Sequence, residues 1–546
     1  MTLTSLNYFA FIILVYLVYL ILPHRKQNIL LLVASYIFYA TWDIRFLFLI
    51  ILSTAINYCC GYTITNGRLT ARARATTTAW IILSCFFFVV LPWEPLALHQ
   101  GDVLDVINWG SLTAMSEGWG IFLGVTTLTL LLNGLNVKKV RADKQKQRRV
   151  YLIAGVAANL LILCVFKYYN FFLENVAYVL MGLGADPSRY YLHILLPVGI
   201  SFYTFKGIGY LADVYREEIK AEKNYHDFAL FTAFFPALLA GPIDRAKGLL
   251  PQLSVARKIT TEKTLRGLHL IFYGLFKKIV IADGVVRTVN SVYGSSGQPS
   301  WIDVIVATVL FTIQIYCDFS GYTDVARGTA KLFGIDLMIN FKVPYFAKNP
   351  QEFWSRWHIS LSTWLRDYLY VPLGGNRHGT GMTYRNLMLT MALGGLWHGA
   401  AWNFVLWGIY HGLLLCLYRA AGAVKEAVET RKSLFADVPK ILFFFVLICY
   451  GWLIFRAPSL TKIASLSSTL IADFGNMTLS ALRPRAAAAF GLPIFLCIEF
   501  VEYAARGRSF YKSMPVPAWT ALYAAMIFCL IIGMSTESAK FIYFNF

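Results

Sequence analysis

The sequence predicts an all-α polytopic membrane protein, a single membrane domain over residues 1–546. Three observations carry that class. Hydrophobic residues make up 58% of the chain and charged residues only 14%, far more apolar than a soluble domain. The uncharged runs have helix length, whereas an outer-membrane barrel would show strands of about ten residues alternating in polarity. The Lys and Arg residues collect in short connections between those runs, so the net charge of +20 is a positive-inside pattern whose counterpart is the lipid bilayer, not nucleic acid. Bilayer thickness then calls for about eleven to thirteen transmembrane or re-entrant helices.

The first apolar run, Leu6 to Leu22, lacks a basic n-region and a small-residue cleavage site, which sets it apart from a removable signal peptide. Arg25 and Lys26 follow it. Runs at Asn28 to Tyr39 and Phe46 to Tyr62 lead to Arg68, Arg72 and Arg74. After a run at Thr78 to Leu91 comes Leu98 to Gly118, which carries Asp102, Asp105 and Glu117 but no Lys or Arg. The run Gly120 to Leu135 then leads to the basic connection Lys138 to Arg149. Basic connections alternate with basic-free ones, so the N-terminus is expected outside. Further runs lie at Tyr151 to Phe172, Leu192 to Leu211, Phe228 to Ala240, Leu265 to Ala282, Ile302 to Phe319, Ile441 to Phe455, Ala486 to Phe500 and Ala518 to Ile532. Lys206 lies inside one of them, where partnering Asp213, lining a cavity and snorkelling are all open.

Asn386 to Tyr418 is the stretch that stands out, 33 residues without Asp, Glu, Lys or Arg that contain His398 and His411. It exceeds the roughly twenty residues one span needs, so an element broken or bent at its glycines would carry an ionisable ring deep into hydrocarbon. A structural histidine bonded across helices is the bland alternative for His398, and helix packing for His411. Upstream, residues 351–371 fit one amphipathic helix. Trp354, Trp357, Leu361, Trp364, Leu365 and Tyr368 form its stripe, with Ser355, Arg356, Ser360, Thr363, Arg366 and Asp367 opposite. His358 falls at the stripe's edge, either facing a polar cavity or simply snorkelling. In Tyr316–Asp324, Asp318 and Tyr322 share a helix face; a buried Asp318 must be hydrogen-bonded, protonated or in a water-filled cavity, unless it is an ordinary helix-end residue. The nine Cys are scattered, without metal or disulfide spacing.

At these residues the chain resembles the membrane-bound O-acyltransferase family, in particular the bacterial branch of alginate O-acetylation and teichoic-acid D-alanylation proteins. The matching pieces are Phe38–Asp43, Leu196–Phe205, Ala240–Ile243, Asp318–Tyr322, Phe353–Gly375, Leu396–Gly399 and Phe541–Phe546, and they favour the alginate side. The family's paired residues, a central His preceded by about forty residues by Asn, Asp or His, match His398 and His358 here. Lys206 departs from the pattern, standing where many relatives have Gln.

The resemblance implies helices around a central channel, with N-terminal helices in 1–150, a catalytic core in 151–420 and C-terminal helices in 421–546. It implies a cytoplasmic thioester donor, acetyl-CoA or an acyl-carrier thioester, with no bound cofactor and no metal. The acceptor would be an exported polysaccharide outside a bacterial inner membrane, reached directly or through a separate extracytoplasmic acetyltransferase partner. Such chemistry needs a base for the acceptor hydroxyl, and an apolar surround favours the neutral imidazole that can act as one. His398 is the expected base and His358 its support. Asp318, Ser320, Tyr322, Trp357, Arg356, Trp397 and Asn403 are the expected substrate-binding or supporting residues. D-alanyl or longer acyl transfer is the rival within enzymes, and a non-catalytic transporter the rival outside them.

Overall fold

Inside hydrocarbon no water meets a bare peptide group, so each segment of so apolar a chain must satisfy its own backbone. Accordingly, among the described residues every regular element is helical. The structure is a computed structural model that describes residues 1–90, 116–138, 144–184, 186–192, 196–239, 241–422, 434–481, 483–505, 514–533 and 542. Most of the acidic segment Leu98 to Gly118 lies outside the described residues, as do Lys139, Arg141, Ala240 and all of Phe541–Phe546 except Ile542.

Among the described residues seven helices are long and apolar enough to cross a membrane: Ile44–Asn66, Ala71–Val90, Lys144–Gly182, Trp301–Leu332, Ala436–Arg456, Ala486–Ala504 and Val516–Gly533. Three shorter apolar helices, Leu6–Ile21, Gly118–Leu131 and Leu460–Ala472, accompany them among the described residues. The protein is therefore an all-α, multi-pass membrane protein.

The chain divides into two units, residues 1–265 with 329–337, and residues 266–328 with 338–546. In the first, the Ile44–Asn66 helix packs against Ala71–Cys85, Lys144–Leu163 and Ile200–Tyr215. Lipid offers no hydrophobic drive between helices, so polar side chains hold them. Asn57 and Asn159 exchange amide hydrogen bonds at 3.2 and 2.8 Å, with the Ser53 hydroxyl donating to the same Asn159 oxygen at 3.3 Å. Lys206 is 3% exposed, which rules out snorkelling; its ammonium lies 5.9 Å from the Phe231 ring centre, and Asp244 is the carboxylate that acts on it.

In the second unit the uncharged stretch resolves into two helices, Gly379–His398 and Trp402–Ala420, packed on each other. The break falls at Gly399. Gly394 and Gly395 do not bend the element; at Gly395 a Cβ would collide with the Phe404 carbonyl, and at Gly408 with that of Met391. These two glycines bring the helix backbones into contact, as small residues do in membrane interfaces. A Cβ at Gly399 would strike the Phe404 ring, so the tight turn after His398 also depends on its side-chain-free backbone.

The amphipathic stretch is not one helix. It forms Pro350–Arg356, Ile359–Leu365 and a π-helical Arg366–Tyr370, with an interruption at Trp357 and His358. Asn340 anchors that interruption: its carbonyl accepts from the Ile359 N–H at 2.9 Å and its side-chain oxygen from the Ser360 N–H at 3.2 Å. Periodicity could not reveal this, because the apolar spacing continues through the break.

Candidate active site

All nine predicted site residues lie in the second unit. His358 occupies the left-handed region, at φ 40° and ψ 53°, where a non-glycine residue costs on the order of 1–3 kcal/mol and is found disproportionately at functional sites. Its ring is fully buried, edge-on to Phe319 at 4.7 Å between centres, with Trp397 at 6.0 Å. Among the described residues neither ring nitrogen has a hydrogen-bond partner.

His398 is the last residue of its helix and 4% exposed. Aromatic rings surround it: Trp397 at 5.0 Å, Trp407 at 5.1 Å and Phe455 at 5.4 Å. Trp397 thus touches both imidazoles, and the two histidines, forty positions apart, share one aromatic cluster. Trp357, beside His358, extends the cluster to Trp452 at 4.8 Å, and Trp452 stacks on Trp407 at 5.7 Å.

Asn403 works from the edge. Its amide donates to the carbonyls of Phe455 and Ala457, both at 3.1 Å, which fixes Phe455 against His398. Asp318 precedes Phe319, the residue that packs on His358, and its carboxylate forms a buried ion pair with Lys278 at 2.8 Å. The Ile542 N–H donates to its other oxygen at 2.7 Å. Of the states expected for a buried Asp318, hydrogen bonding is present; the ion pair is not among them, because no basic partner for Asp318 is evident in the sequence. Lys278 also reaches Asp283 at 2.7 Å and lies 5.6 Å from the Tyr322 ring centre, so Asp318 and Tyr322 meet the same ammonium. Ser320 is buried on the same helix. Arg356 is engaged elsewhere: it pairs with Glu352 at 2.7 Å and lies 5.9 Å from the Tyr503 ring centre.

Sequence reasoning passed over Lys278, Asp283 and Asn340. The signal for the first was present, since Lys277 and Lys278 are adjacent charges in the apolar run Leu265 to Ala282. A π-helical segment, Phe276–Ala282, carries both, and Lys277 pairs with Asp324 at 2.5 Å. Removing one member of a buried ion pair strands the other, at about 3–5 kcal/mol. Lys278→Ala should therefore strand Asp318 and Asp283 and destabilise the protein by about that amount. Thermal unfolding in detergent checks this, and an unchanged midpoint would contradict it.

By fold and site this is a multi-pass helical membrane protein with two buried histidines in an aromatic cluster. A family model, that of the membrane-bound O-acyltransferases, matches residues 216–459. A "probable alginate O-acetylase" of Pseudomonas putida is 36% identical over 568 aligned positions, covering 99% of each chain. A peptidoglycan O-acetyltransferase of Helicobacter pylori is 38% identical, over 57% of this chain and 63% of that one. A teichoic acid D-alanyltransferase of Bacillus subtilis is 27% identical, over 47% of this chain and 68% of that one. The chain belongs to the membrane-bound O-acyltransferase family, and it is an acyltransferase.

Proposed function

We propose that the protein moves an acyl group, acetyl in the first instance, from a cytoplasmic thioester across a bacterial inner membrane to hydroxyls of an exported polysaccharide. Acetyl-CoA or an acyl-carrier thioester is the donor. Delivery is direct or through an extracytoplasmic acetyltransferase. The similarity to an alginate O-acetylase along 99% of both chains supports acetyl and polysaccharide over D-alanine. The observation that carries the site assignment is the pair of buried histidines joined by Trp397, one held in a strained backbone conformation.

His398 acts as general base. Its neutral imidazole takes the proton of the acceptor hydroxyl as that oxygen attacks the thioester carbonyl carbon. A C–O bond forms, the C–S bond breaks, and the departing thiolate recovers the proton from the imidazolium. His358 steadies the oxyanion or orients the acceptor, and Asp318 with Lys278 holds the helix behind Phe319. The aromatic surround excludes the water that would otherwise hydrolyse the thioester.

The test is reconstitution of the full chain in vesicles with labelled acetyl thioesters and an acceptor oligosaccharide. Thioester consumption matched by ester formed on the acceptor is expected. Movement of an intact solute with no thioester consumed would favour a transporter. Orientation has its own test. A cysteine replacing Lys146, in a background lacking the nine native cysteines, should react with impermeant reagents only from the cytoplasmic side. Labelling from outside would invert the topology.

A further inference from the structure

The polar ring atoms without partners are not spread evenly through the second unit. Among the described residues, both nitrogens of His411 and the indole N–H groups of Trp357, Trp407 and Trp452 are buried without a hydrogen-bond partner. Buried indole N–H groups ordinarily find one. These four residues form one connected patch. Trp407 lies 4.7 Å from His411, 5.7 Å from Trp452 and 5.1 Å from His398, and Trp452 lies 4.8 Å from Trp357.

His411 stacks on Phe353 with only 10° between the ring planes. For packing alone, phenylalanine would serve better there, since it buries no nitrogen. Glycine at 451 serves the imidazole in turn, because a Cβ there would lie 3.0 Å from its Nε2.

We propose that His411, with the indole N–H groups of Trp407 and Trp452, forms the surface that takes the carbonyl oxygen of the transferred acyl group. A carbonyl oxygen offers two lone pairs and no donor, so it suits a patch of N–H groups. The apolar remainder of a short acyl group suits the ring faces. The proposal rests on the acyltransferase reading of His398.

The test uses the full chain in vesicles, with acetyl-CoA and an acetyl-loaded acyl carrier protein as probes. His411→Phe should lower kcat tenfold or more, with KM for the thioester changed less than threefold and a thermal midpoint equal to or above that of the unmodified protein. His411→Gln, which keeps a donor and an acceptor but not the ring, should recover part of the loss; a ring needed only for packing would give the opposite order. Should His411→Phe fail to fold, Trp407→Phe removes one N–H from the same patch while keeping an aromatic, though smaller, side chain, and the same tenfold loss is expected. Full activity in a folded His411→Phe, or in Trp407→Phe where that variant carries the test, beside an inactive His398→Ala overturns this proposal alone. An unmodified protein that consumes neither probe overturns the acyltransferase reading of the site as well.

Discussion

His398→Ala should reduce acyl transfer by about 10²- to 10⁴-fold, the contribution a positioned general base makes. The alcohol is a poor nucleophile until its proton has somewhere to go, and His398 is the proposed acceptor. Folding complicates the alanine variant, because His398 is packed between Trp397, Trp407 and Phe455 and removing the ring opens a cavity. His398→Phe separates the two effects. It preserves edge-on ring contacts and keeps no proton acceptor, so it should fold at least as well as the unmodified protein and be equally inactive. Turnover of a labelled acetyl thioester, alongside thermal unfolding, reads both. Activity retained by His398→Phe would end the general-base assignment.

How far the sequence carried this picture depended on distance along the chain. Membrane helices were legible because apolarity is a local property, and the break after His398 was legible because Gly399 interrupts a run too long for one span. The break before it was not legible. The stripe Trp354, Trp357, Leu361 and Trp364 keeps helical spacing through the interruption, and the residue in the left-handed region is a histidine, where glycine or asparagine would have signalled a turn. What holds the break, Asn340, lies twenty residues upstream of Ser360, and no local rule connects them. The same applies to Asp318, whose partner Lys278 is forty residues away. Arg356, in contrast, was placed near the chemistry by sequence proximity; in the structure it forms an i, i+4 pair with Glu352, a contact that helical spacing does predict.

The backbone at His358 supplies the sharpest test of its supporting role. His358→Ala should lower turnover at least tenfold, but alanine both removes the ring and sits poorly at φ 40°. Asparagine tolerates the left-handed region far better, so His358→Asn keeps the break between Pro350–Arg356 and Ile359–Leu365 while deleting the imidazole. Valine does the reverse of what is wanted, since a β-branched residue is a severe outlier there, and His358→Val should lose stability as well as activity. If the imidazole works on the substrate, Asn and Ala should be similarly slow while Asn remains the more stable. If the residue only shapes the backbone, Asn should restore turnover to near the unmodified level, with Ala below it and Val lowest. Measuring turnover and the unfolding midpoint for the three variants together distinguishes these outcomes, because in the first turnover stays low whatever the midpoint and in the second turnover follows the midpoint.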